Sequence, residues 1–223
     1  MLSKENLINY FSDGEKKEEN FKIGTEHEKF LFNLETKKPI DFSEKGIKGI
    51  FNILKQNSWN EIKENDNIIG LKKDNLSITL EPGLQIELSG APCRNIHETC
   101  KEVNLYLKEL KQACSKFNIG VIGIGLIPNA KFDEINQLEK KRYTIMRNYM
   151  TSVGSLGLDM MHRTAATQVN FDFSSDNNFS NSLVPFFNFL NESASSKFFA
   201  VIGSMVNVRS FRKALLLFYP MLP

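Results

Sequence analysis

A chain of 223 residues is long enough for one substantial domain with a full hydrophobic core. Its 41% hydrophobic and 24% charged residues are the composition of an ordinary globular protein. With 28 Lys and Arg against 26 Asp and Glu the net charge is only +2, which argues against a nucleic-acid binder and against an acidic tail.

Residues 1 to 20 predict a short helix ending in a charged, solvated segment. Residues 12 to 20 (Ser-Asp-Gly-Glu-Lys-Lys-Glu-Glu-Asn) are charged where a secretory signal would be apolar. The pattern from Phe21 to Phe32 is strand-like, and Gly46 to Gln56 predicts an amphipathic helix with Ile47, Ile50, Phe51 and Leu54 on one face. Ile68 to Leu71 and Ser77 to Leu88 predict two strands, with a turn at Asp74-Asn75.

Asn95 to Phe117 carries the clearest helical signal: Asn95 as the cap, Glu98 at the capping-box position, and Asn118 and Gly120 as stops. Its expected apolar stripe is Ile96, Cys100, Val103, Leu107, Leu110, Cys114 and Phe117. A Gly-interrupted strand, Val121 to Ile127, follows. The whole apolar run from Ile119 to Pro128 is far shorter than the roughly 20 residues a membrane helix needs. Residues 131 to 155 predict loop plus a short helix, and Arg163 to Phe173 another strand. Residues 1 to 175 form the main domain in this reading. Residues 176 to 223 are an atypical segment rich in Asn, Ser and Phe, with the look of a truncated or frameshifted end. Cys93, Cys100 and Cys114 have no CxxC spacing and suggest reduced thiols in a cytoplasmic protein.

The chemistry concentrates on three strands. In Ile23-Gly-Thr-Glu-His-Glu-Lys-Phe30, Glu26 and Glu28 share a face. In Leu80-Glu-Pro-Gly-Leu-Gln-Ile-Glu-Leu88, Glu81, Gln85 and Glu87 share one, with Gly83 leaving space between the acids. In Thr167-Gln-Val-Asn-Phe-Asp-Phe173, Gln168, Asn170 and Asp172 point one way and the apolar residues the other. Like charges opposite one another destabilise a sheet, so Glu26, Glu28, Glu81 and Glu87 together require a cation, and a hard divalent ion such as Mg²⁺ takes oxygen ligands. Single wet-faced strands commonly carry solvated Glu; three in one sheet are harder to explain that way. Gly120-Val-Ile-Gly-Ile-Gly125 precedes a Pro-terminated strand, so it is neither a dinucleotide nor a P-loop signature.

On these segments, with Leu88-Ser-Gly-Ala-Pro92, Arg142-Tyr-x-Ile-Met-Arg-Asn-Tyr-Met150 and Val153-Gly-Ser-Leu-Gly-Leu-Asp-Met-Met161, the chain resembles the glutamate–cysteine ligase family of plants and many proteobacteria. The resemblance covers most of residues 20 to 175. It implies an α+β fold like that of glutamine synthetase: a curved, mostly antiparallel sheet with helices outside, here incomplete. It also implies Glu26, Glu28, Glu81 and Glu87 as catalytic metal ligands or supporting acids, and Gln168 and Asn170 as further site groups. Arg142 and Arg147 become binders of glutamate carboxylates or nucleotide phosphates, because Arg makes bidentate contacts with both.

The implied reaction joins the γ-carboxylate of glutamate to cysteine through a γ-glutamyl phosphate, with ATP as co-substrate and Mg²⁺ as cofactor. The implied partners are small molecules, with no nucleic acid and no membrane. Alternatives are a carboxylate–amine ligase of the same fold with another acceptor, or an inactive fragment. His27 is expected to point to the face opposite the acids, as a packed or hydrogen-bonded support.

Overall fold

The computed structural model describes residues 3–64, 67–175 and 178. Among them, five helices and seven strands run in the order α1 (Lys4–Ser12), β1 (Ile23–Asn33), α2 (Ile47–Lys55), β2 (Asn60–Glu64), β3 (Asn67–Lys73), β4 (Leu76–Leu80), β5 (Ile86–Ser89), α3 (Ile96–Ser115), β6 (Ile119–Ile122), α4 (Lys141–Val153), α5 (Gly157–Arg163) and β7 (Thr167–Phe171). The sheet is open, its order is β2-β3-β4-β5-β1-β6, and β7 also pairs with β1. Every pairing is antiparallel. The expected α+β class with an open antiparallel sheet is therefore what the chain forms. The Phe-rich stretch and nearly all of residues 176 to 223 lie outside the described residues.

Period-2 alternation explains the layering. Leu71, Ile78, Leu80, Ile86, Leu88 and Leu31 turn to one sheet face and pack with Ile47, Ile50, Phe51 and Leu54 of α2 and Tyr106, Leu110, Ala113 and Cys114 of α3. The four α2 residues are at most 1% exposed. Full burial contributes roughly 1.5–3 kcal/mol for each such side chain, so this helix is held by packing and needs no side-chain N-cap bond. The opposite sheet face keeps the polar residues. A smaller apolar group, Phe30 with Ile127, Ala130, Ile135 and Ala165, closes one end.

Three expectations change. First, residues 77 to 88 are two strands with a tight turn between them. The Glu81 N–H donates to Gln85 O, the Leu84 N–H to Glu81 O, and Leu84 sits in the left-handed region at φ 62°. Pro82-Gly83 was the signal for it. Second, α3 is capped as expected, with Asn95 Oδ1 accepting from the N–H groups of His97 and Glu98. Glu98, however, reaches back to the Arg94 N–H. Its buried row is Thr99, Tyr106, Leu110, Ala113 and Cys114, while Ile96 is 61% exposed. Of the expected stripe, Leu110 and Cys114 lie in that row and Val103, Leu107 and Phe117 pack against the core part-buried, while Ile96 and Cys100 are left exposed. Third, β2 and α5 had no strong periodic signal. Strand β2, Asn60–Glu64, has Ile62 as its one apolar residue and lies at the sheet edge, and α5 is barely two turns long.

Candidate functional site

The acid-bearing face is assembled from four strands and one turn. Glu28 of β1 stands opposite Glu87 of β5, and Glu26 stands opposite Gln168 of β7. Thr79 of β4 faces Glu87 from the other side and donates its hydroxyl to Glu87 Oε2 at 2.8 Å. Asn170 Nδ2 donates to Glu26 Oε1 at 3.1 Å, and Gln168 Nε2 donates to Asn170 Oδ1 at 3.2 Å. Glu28 is fixed at both ends: its N–H donates to Ala166 O at 3.0 Å and its Oε2 accepts from the Ala166 N–H at 2.8 Å.

Glu81 arrives from the turn, with its carboxylate near the Tyr143 hydroxyl, which donates to Leu80 O at 3.0 Å. Tyr143 is buried, and two cations stack on its ring, Lys140 Nζ at 5.1 Å and Arg142 Cζ at 5.0 Å from the centroid. Neither Thr79 nor Tyr143 was a site candidate from the sequence. Thr79 was in phase with Glu81 and Glu87, and Tyr143 adjoined Arg142 in a quoted motif.

The four acids act on one another. Glu87, 8% exposed, is pushed up to about 8 by burial and by the charges of Glu81 and Glu26, against the Thr79 hydroxyl. Glu28 is pushed up to about 7, again first by burial and then by Glu81 and Glu26, while the Ala166 N–H pulls it down. Burial and crowding thus hold both carboxyls well above the ordinary carboxylate range.

Two expected members are elsewhere. Arg147 lies one and a half helical turns beyond Arg142 on α4; its Nη2 donates to Thr144 Oγ1 and its charge bears on His162. Arg142 is the one whose charge is felt with Glu81 and Glu87. Five residues along a helix turn a side chain well away from its predecessor's direction, which separates the two. Asp172 points to the other end of β7, where it pairs with Lys16 at 2.7 Å. His27 hydrogen-bonds Thr25 Oγ1 at 3.1 Å, away from the acids. Gln85 is buried at 2% exposure with its amide committed to backbone groups of Gly83, Met161 and Thr164, so it is not free to take a ligand. Gly83 does not make room between acids. A Cβ there would collide with the carbonyl oxygen of His162.

Oxygen-only donors, partly buried and mutually repelling, suit a hard divalent cation. Among the described residues no three of them are already gathered as a coordination set. Among the described residues no helix is long and apolar enough to cross a membrane.

The model of the family described as glutamate-cysteine ligase family 2 matches residues 22–192. The chain is 50% identical over 176 residues to the chloroplastic glutamate–cysteine ligase A of Oryza sativa subsp. japonica, covering 78% of this chain and 35% of that one. It is 48% identical over the same length to the chloroplastic enzyme of Brassica juncea, covering 34% of it, and 47% identical to that of Arabidopsis thaliana, covering 33%. The chain thus spans about a third of the length of these relatives. Their chloroplastic names overturn the cytoplasmic expectation. Reduced thiols separate oxidising from reducing compartments but do not distinguish one reducing compartment from another.

Proposed function

Since the chain belongs to the glutamate–cysteine ligase family, we propose that its acid-lined sheet face is the metal- and phosphate-handling part of a site that makes γ-glutamylcysteine. The observation that carries this is the grouping of Glu26, Glu28, Glu81 and Glu87 on one sheet face, where Glu28 stands opposite Glu87 in the strand register.

In this reading a γ-carboxylate oxygen of glutamate attacks the terminal phosphorus of ATP and ADP leaves. The amine of cysteine then attacks the acyl carbon, and phosphate and a proton are released. Mg²⁺, when bound, neutralises charge on the phosphate oxygens. Glu26, Glu28, Glu81 and Glu87 are the groups that would hold it. Arg142, with Lys140 also against the Tyr143 ring, supplies positive charge beside the acids for phosphate or carboxylate oxygens. The linked amides of Gln168 and Asn170 fix the Glu26 carboxylate and offer donors to substrate. Loading the site with a divalent ion displaces the protons on Glu28 and Glu87.

The test is Mn²⁺ binding to the purified chain, followed by electron paramagnetic resonance with and without ATP, together with cysteine-dependent ADP release. Saturable binding that is lost in Glu26→Gln and Glu81→Gln supports the reading. Equal binding by wild type and both variants contradicts it, whatever the ADP assay shows.

A further inference from the structure

We propose that Gln85 is a positioning residue: its buried side-chain amide locks the Glu81-bearing turn to the segment that holds Glu28, and so sets the spacing of the acids across the site. The proposal rests on the functional reading above for its consequence, but not for its geometry.

Every polar atom of the Gln85 side chain is used. Its Oε1 accepts from the Gly83 N–H at 2.8 Å, inside the turn. Its Nε2 donates to Thr164 O at 2.7 Å and Met161 O at 3.3 Å, where α5 ends. The turn also seats on this helix end through Gly83, which has no Cβ to strike the His162 carbonyl. Two residues beyond Thr164, Ala166 exchanges backbone and side-chain hydrogen bonds with Glu28.

One short path therefore runs from Glu81 through the turn, the Gln85 amide and Thr164–Ala166 to the Glu28 carboxylate. At 2% exposure the amide has no water to replace a lost partner, so removing it frees both the turn and the strap. A purely structural glutamine would soften the molecule as a whole. A positioning one loosens this path first.

The experiment compares Gln85→Met, which keeps the volume, with Leu110→Ala, a core truncation in α3 away from the site. Amide hydrogen exchange is read at Ala166 and Leu84 against amides of β3 and β4. The expected result is a selective acceleration of about tenfold or more at Ala166 and Leu84 in Gln85→Met, and uniform acceleration in Leu110→Ala. Mn²⁺ affinity, read in parallel, is expected to fall by about tenfold in Gln85→Met alone, the scale seen when supporting partners of metal ligands are removed.

Uniform exchange in a folded Gln85→Met overturns the proposal. A wild-type chain that binds no Mn²⁺ refutes the functional reading and leaves the exchange result to decide the clamp. Gln85→Asn, which keeps the amide but is too short to reach Thr164, is measured alongside. Failure of both variants to fold cooperatively assigns Gln85 a structural role and also overturns the proposal.

Discussion

Glu28 on β1 and Glu87 on β5 stand directly opposite one another in antiparallel register, and burial raises both carboxyls, to about 7 and about 8. Two neighbouring groups with values this far above the ordinary carboxylate range make the protein's stability and its metal affinity depend on pH in opposite senses.

For stability the folded-state values lie above the unfolded value of about 4.3. The native state then binds more protons than the unfolded chain between roughly pH 4.5 and 8. This contribution is fully present below the unfolded value and is lost as pH rises through 7 and 8. In chelator, the chain is expected to melt at lower temperature at pH 8.5 than at pH 5.5. Thermal melts across that range check it, and a rise in stability from 5.5 to 8.5 would be the contrary result.

For metal affinity the sign reverses, because the cation competes with the protons on Glu28 and Glu87. Mn²⁺ or Mg²⁺ binding is expected to tighten from pH 6 to pH 9, with proton release largest in the lower half of that range. Calorimetry in buffers of different ionisation enthalpy counts the protons; release of none would separate the acids from the metal.

Glu87→Gln removes the like charge while keeping the shape and an acceptor for the Thr79 hydroxyl. It is expected to stabilise the metal-free chain at pH 8.5 by on the order of 1 kcal/mol and to weaken metal binding. Urea melts and Mn²⁺ titration of one preparation read both effects. A variant that is destabilised at pH 8.5 would show that the repulsion is already relieved.

Glu26→Gln and Glu81→Gln, placed in a ligase carrying the full family length, are expected to lower turnover by about a hundredfold or more. Arg142→Ala is expected to cost far more in ATP or glutamate use than Arg147→Ala, because only Arg142 is felt with the acids. Steady-state γ-glutamylcysteine formation separates the cases. Equal losses for the two arginines would contradict the assignment.

Gly83→Ala is expected to destabilise the chain by about 1–3 kcal/mol, since the new methyl meets the backbone carbonyl of His162 where no flexible side chain can yield. Denaturant unfolding measures it, and an unchanged midpoint would mean that the turn relaxes freely.

The local rules of the chain were enough for β1, β7, α2 and α3. Alternation put Glu26 with Glu28 and Gln168 with Asn170, a 3.6-residue repeat marked the helices, and Asn95 marked a cap. These signals depend only on residues a few positions apart, and long specific motifs in the same segments pointed to the family. Tertiary structure decided the rest. Leu84 in a left-handed conformation breaks one apparent strand in two, and the end of α5 covers Gln85 and takes up its amide. Docking added Thr99, Tyr106 and Ala113 to the expected Leu110 and Cys114 on the buried side of α3, and it brought Arg142 to the acids while leaving Arg147 beside His162. The raised values of Glu28 and Glu87 arise only when β1, β5 and the Glu81 turn are brought together. Burial, and the repulsion of Glu26 and Glu28 on one strand with Glu81 and Glu87 more than fifty positions away, belong to the packed sheet and have no counterpart in the local sequence.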